Sequence, residues 1–179
     1  LEGHSYLVQS SQFSPDGTKV VTASWDKTAI IWDAKTGEML HTLKGHSLSV
    51  SSAHFSPDGT KVVTSSRDKT AIIWDAKTGK VLHKLKGHSD SVYSAQFSPD
   101  GTMVVTASWD KTAIIWDAKT GEMLRKLIGH SGSVFSAHFS PDGTNVVTAS
   151  DDKTAIIWNV GELLRELSLT TPGDVRNTP

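Results

Sequence analysis

Residues 87–128 read GHSDSVYSAQFSPDGTMVVTASWDKTAIIWDAKTGEMLRKLI. Residues 45–86 repeat that stretch with 32 of 42 positions identical, so the chain is built from copies of one unit. Gly-His recurs at Gly3-His4, Gly45-His46, Gly87-His88 and Gly129-His130. Ser-Pro-Asp-Gly-Thr begins at Ser14, Ser56, Ser98 and Ser140, and Asp-Lys-Thr-Ala-Ile-Ile-Trp at Asp26, Asp68, Asp110 and Asp152. The units fall at about 3–44, 45–86, 87–128 and 129–168, and 169–179 forms a polar C-terminal tail. A period of this length marks units that cannot bury their own faces and stack on their neighbours.

Each unit reads as four short strands. In the third unit the first runs from Ser91 to Phe97 and ends in Pro99-Asp100-Gly101. There proline presets the turn and glycine takes the positive φ. A Val- and Thr-rich strand, Met103–Ser108, follows, then a tight turn at Trp109-Asp110-Lys111. The third strand, Thr112–Trp116, is apolar on both faces, which places it inside a stack. Ala118–Gly121 turns the chain into a fourth strand, Glu122–Leu127. β-Branched residues and turn signals every 8–12 residues leave no convincing helix anywhere.

Composition narrows the function. With 18 Lys plus Arg against 19 Asp plus Glu the net charge is −1, so nothing draws the whole chain to nucleic acid or an anionic membrane. No stretch approaches the ~20 apolar residues of a membrane span. Cysteine is absent, which excludes disulfides and thiolate metal sites and leaves the compartment open, the cytoplasm being the default. No charged-then-apolar signal segment opens the chain. The start at Leu1 rather than Met points to a trimmed chain.

These motifs resemble those of the WD40 repeat family. The resemblance rests on Gly-His near the start of each unit and on Trp-Asp at Trp32-Asp33, Trp74-Asp75 and Trp116-Asp117, with Trp158-Asn159 in the fourth. An Asp six residues before each Trp completes it. It implies an all-β chain, a β-propeller of four-stranded antiparallel blades with four blades per chain. The near-identical units are similar to the recently amplified propellers of bacteria, cyanobacteria among them.

The resemblance also implies a buried hydrogen-bonded tetrad in each blade. These sets are His4, Thr22, Asp26 and Trp32; His46, Thr64, Asp68 and Trp74; His88, Thr106, Asp110 and Trp116; and His130, Thr148, Asp152 and Trp158. Two hydroxyls could receive the indole, that threonine or the serine two residues later, and the threonine is favoured. Ser, His and Asp together suggest a catalytic triad, but a set repeated four times is a structural pattern. No Gly-x-Ser-x-Gly elbow, phosphate loop or His-Glu-x-x-His stands in the chain. The chain therefore reads as no enzyme, without cofactor or metal.

Among units so alike, the differing columns carry information. The residue before the turn Asp is Trp25, Arg67, Trp109 and Asp151. Two positions past Gly-His stand Tyr6, Leu48, Asp90 and Gly132, and a first-strand column reads Gln9, Ser51, Tyr93 and Phe135. In a propeller these positions cluster on the top face, where the family commonly contacts partners. Trp, Tyr and Arg are enriched in binding hot spots. A further column, Gln12, His54, Gln96 and His138, could line the channel, with a ligand role open to the histidines.

WD40 blades usually close as rings of seven or eight, so four leave two apolar faces open. The face of the first unit complements that of the fourth, and two chains joined head to tail would close an eight-bladed homodimer. The shortened turn Val160-Gly161, and the lack of Gly-His after Leu167, read as the end of an array, so the chain reads as the last blades of a longer one. Two functions follow: a scaffold binding a protein or peptide on its top face, or a purely structural module of a longer array without a partner of its own.

Overall fold

A computed structural model describes residues 1–169. The first sheet is an antiparallel meander of β1 (Val8–Phe13), β2 (Lys19–Ser24), β3 (Thr28–Asp33) and β4 (Met39–Lys44). The second repeats it with β5 (Val50–Phe55), β6 (Lys61–Ser66), β7 (Thr70–Asp75) and β8 (Val81–Lys86). The third holds β9 (Val92–Phe97), β10 (Met103–Ser108), β11 (Thr112–Asp117) and β12 (Met123–Ile128). The fourth has β13 (Val134–Phe139), β14 (Asn145–Ser150) and β15 (Ala155–Asn159), followed by a helix, α1 (Val160–Leu169). These are the blades of a partial β-propeller.

Turn chemistry sets the register. In the first blade Ser14 O accepts the Gly17 N–H at 2.8 Å, Gly17 sits at φ 70°, and Asp16 Oδ1 accepts from Thr18 N–H and Ser14 Oγ. The second turn puts a lysine at positive φ in every blade: Lys27, Lys69, Lys111 and Lys153, at 70–73°. A left-handed lysine is strained by about 1 kcal/mol or more. The preceding aspartate holds it, as Asp110 Oδ1 accepts the Thr112 N–H at 3.0 Å and its hydroxyl at 2.6 Å. Gly79 and Gly121 need their glycine twice over. Each has positive φ, and a Cβ there would press on His41 or His83 of the blade before.

Blades pack face to face. Val21, Ala23, Ala29, Ile31 and Leu43 of the first blade meet Val50, Ala53, Phe55, Val62, Ile72 and Trp74 of the second. The same columns meet at the next two junctions. Among the described residues nothing covers the outer faces of the array. Phe13 is 64% exposed where its counterpart Phe55 is 6%. Ile157 is 74% exposed where Ile31, Ile73 and Ile115 are 0%.

One expectation is corrected. The fourth blade was expected to end in a fourth strand within 129–168, and no helix was expected, yet residues 160–169 form α1. In the other units the loop after the Trp is two residues longer, and in the third Asp117 Oδ1 accepts both the Lys119 and the Thr120 N–H in an Asx-turn. Instead Asn159 Oδ1 accepts the Glu162 N–H at 2.9 Å, a helix N-cap, and Glu162 lies in the first turn where the helix dipole favours an acid. Leu163 and Leu164 pack beside the junction of the third and fourth blades. The tail expected at 169–179 lies, past Leu169, outside the described residues.

Candidate interaction face and the buried tetrads

Within each blade a polar chain runs from the third strand to the loop before the first. Trp32 Nε1–H donates to Thr22 Oγ1 at 2.8 Å, and His4 Nε2 lies 2.7 Å from the same hydroxyl. His4 Nδ1–H donates to Asp26 Oδ2 at 2.8 Å. The polarity that satisfies every atom is Trp N–H to Thr oxygen, Thr O–H to His Nε2, and His Nδ1–H to Asp. The sets on Trp74, Trp116 and Trp158 repeat it within 0.1 Å. The hydroxyl is the threonine in all four blades. In the first three blades the serine two residues later serves the rim instead: Ser24 Oγ donates to Tyr6 O and accepts the Asp26 N–H.

Burial alone would raise the Asp26 carboxyl, but hydrogen bonds from Thr28, His4 and the backbone of Ser5 outweigh it and bring its pKa to about 2. Asp68 and Asp110 likewise overcome burial, through His46 with Thr70 and His88 with Thr112, and lie well below the usual carboxylate range. Asp152 is lowered mainly by Thr154. The turn aspartates Asp16, Asp58 and Asp142 are lowered to about 2, first by Ser14, Ser56 and Ser140. A folded-state pKa below the unfolded value of about 3.9 adds stability that is complete above that value and disappears as pH falls through the folded one. Thermal unfolding followed against pH should therefore show its steepest loss between about pH 4 and 2. A midpoint flat across that window would contradict the aspartate network.

At the rim that carries the second turn, the loop before each first strand is tied down by backbone bonds: Trp25 N–H to Leu7 O, Arg67 to Ser49, Trp109 to Ser91 and Asp151 to Ser133. The differing columns meet there in two clusters. Tyr6 stacks on Trp25 at 6.2 Å and 16°, Arg67 Cζ lies 4.8 Å over the same indole, and Trp25 Nε1–H donates to Gln9 Oε1 at 3.2 Å. Tyr93 stacks on Trp109 at 5.4 Å and meets Phe135 edge-on at 5.5 Å. Each cluster bridges two blades. Leu48, Asp90 and Asp151 are exposed and stand outside both. Asp90 Oδ1 accepts the Ser91 N–H, and Asp151 occupies the space that a side chain at Gly132 would need.

At the other end of the inner strands is a cleft of about 330 Å³, lined by Gln12, His54, Gln96, Phe55, Phe97 and Phe139 among others. Gln12 Oε1 accepts the Phe55 N–H at 2.9 Å and His138 Nδ1–H donates to Gln96 Oε1 at 2.8 Å, so this column stitches neighbouring blades. Burial, then the neighbouring His138, lowers the His54 pKa. Among the described residues no three His, Cys, Asp or Glu side chains converge to hold a metal. Ser94 Oγ is buried without a partner because Ala107 stands where the second blade has Ser65, which bonds Ser52 at 2.7 Å. The blade-to-blade stitching and the α1 cap were missed in the sequence, since both depend on which side chain a neighbouring element presents.

Relatives match over single repeats. The small ribosomal subunit protein RACK1 of Candida albicans is 47% identical over 38 residues, 21% of this chain and 12% of that protein. Protein Mut11 of Chlamydomonas reinhardtii is 43% identical over 42 residues, 24% of this chain and 11% of that protein. WD repeat-containing protein 37 of Mus musculus is 42% identical over 43 residues, 24% of this chain and 9% of that protein. The matched stretches thus span about a tenth of each relative's length. Among the described residues no helix is long and apolar enough to cross a membrane. Residues 1–33, 37–75, 79–117 and 121–159 each match the family described as "WD domain, G-beta repeat", and the chain belongs to that family.

Proposed function

We propose that the chain is a non-catalytic scaffold that binds a protein or peptide on its top face. The carrying observation is the two aromatic clusters, Tyr6–Trp25–Arg67 and Tyr93–Trp109–Phe135, built by the columns in which otherwise near-identical blades differ. Large aromatic surface on a rim favours aggregation unless a partner covers it. Selection of a displayed random-peptide library against the chain tests the reading. Selected peptides should bind the Trp25→Ala, Trp109→Ala double variant at least about tenfold more weakly, with the fold unchanged. Unaltered binding, or no enriched peptide, would favour the purely structural module.

The bare outer faces support a second partner, another copy of this chain. The columns of Phe13 and Ile157 meet at every internal junction, so the first blade of one copy fits the fourth blade of the other. Two such contacts close a ring of eight blades with twofold symmetry, and a contact that closes does not propagate into fibres.

A further inference from the structure

We propose that residues 162–167 exchange α1 for a fourth strand on β15 when a second copy docks on the fourth blade. The inference rests on the head-to-tail closure just described and concerns what controls it. Gly121–Leu127 reads Gly-Glu-Met-Leu-Arg-Lys-Leu, and Gly161–Leu167 reads Gly-Glu-Leu-Leu-Arg-Glu-Leu, identical at five of seven positions. The first stretch supplies β12 and the second lies in α1. One sequence pattern thus takes both forms in the same molecule.

The edge for that strand is present. β3, β7 and β11 each pair on both sides, whereas among the described residues β15 pairs with β14 alone. The shortened loop keeps the register. In the third blade the Asp117 N–H donates to Glu122 O and Trp116 faces Met123, across the loop 118–121. In the fourth unit only Val160 and Gly161 separate Asn159 from Glu162. Removing two loop residues leaves Asn159 opposite Glu162 and Trp158 opposite Leu163, with Gly161 able to take the positive φ of the second turn position. Removing one would have turned every side chain to the wrong face.

Docking supplies the reason to switch. Each internal junction buries a leucine of the fourth strand, Leu43, Leu85 and Leu127, in the cluster that joins it to the next blade. Leu167 is the residue at that position in the fourth unit, and it lies in α1. A fourth strand on β15 would bring the Leu167 column to the face offered to a second copy. Val160 keeps its place in either form, because Ala76 and Ala118 occupy the same column in the other junctions. Among the described side chains, the exchange releases the Asn159 cap and the seats of Leu163 and Leu164.

Two substitutions push the exchange in opposite directions. Asn159→Ala removes the Glu162 cap, and the closed ring holds two such segments, so self-association should tighten about 25-fold. Gly161→Ala has room for its Cβ, 3.5 Å from Asn159 Oδ1. It favours the helix interior and disfavours the turn at both junctions, so self-association should weaken about 25-fold. Sedimentation equilibrium of the full chain reads both, and hydrogen exchange should show the Ala155–Asn159 amides becoming protected in the dimer. A cap that served only the fold would give the reverse sign for Asn159→Ala. That reversal, or a dimer in which β15 stays unprotected, overturns the switch and leaves ring closure standing. A chain monomeric in the wild type and in Asn159→Ala overturns both.

Discussion

Trp74→Ala is expected to lower the free energy of unfolding by about 4 kcal/mol, the range of large aromatic deletions from a packed core. The ring is 1% exposed, it packs edge-on to His46 at 6.4 Å, and Gly45 lies so close that a Cβ there would stand 2.9 Å from it. Little can collapse into the space it leaves. The indole N–H is also the donor to Thr64 at 2.9 Å, so Trp74→Phe, which keeps most of the volume, should still lose about 1 kcal/mol. Trp158 makes the same bond but is only half-buried, at the blade that lacks a fourth strand. Its alanine variant should lose markedly less. Urea unfolding of the three variants decides the matter, and equal losses for Trp74→Ala and Trp158→Ala would contradict the burial argument.

The second large effect is on assembly. Ile157→Asp should leave the stability of the single chain nearly unchanged, because the side chain it replaces is 74% exposed. In a closed ring the same position would be covered as Ile31, Ile73 and Ile115 are, at 0% exposure. A carboxylate buried there without a partner costs several kcal/mol at each junction, and the ring has two. Dimer affinity should fall by more than about 100-fold, read by sedimentation at increasing concentration. Ile73→Asp, inside the array, should instead unfold the chain. Unchanged self-association in Ile157→Asp would remove this face from the interface.

Much of the blade was legible in the sequence because its cues are local and repeated. Ser-Pro-Asp-Gly-Thr carries its own turn chemistry, and Ala113–Trp116, apolar on both faces, could only be a strand enclosed between neighbours. The spacing of Asp26 from Trp32 and of His4 from both was readable through the family resemblance. Thr22 and Ser24 share one face of β2, so the choice between them rests on register, which puts the threonine beneath the indole and leaves the serine to the Tyr6 carbonyl. The rim residues were visible as differing columns. That Arg67 lies over Trp25, or that Tyr93 joins Trp109 to Phe135, depends on how adjacent blades are rotated, and no single repeat encodes it.

The helix was hidden for a different reason. Gly161–Leu167 copies a segment that is a strand one unit earlier, so periodicity and propensity favour the strand. One feature tips the balance, the loop shortened by two residues, which lets the Asn159 side chain cap a helix where Asp117 holds an Asx-turn. A cap is worth about 1 kcal/mol, too little to read from a pattern and enough to decide between near-equal forms.

The most direct test of the half-ring account is the absolute mass of the chain in solution, by light scattering after size exclusion. Head-to-tail closure predicts twice the 19.3 kDa of one chain, with no larger species on concentration. A mass that stays at 19.3 kDa across the same range would contradict it and leave the outer faces of the first and fourth blades without the partner proposed for them.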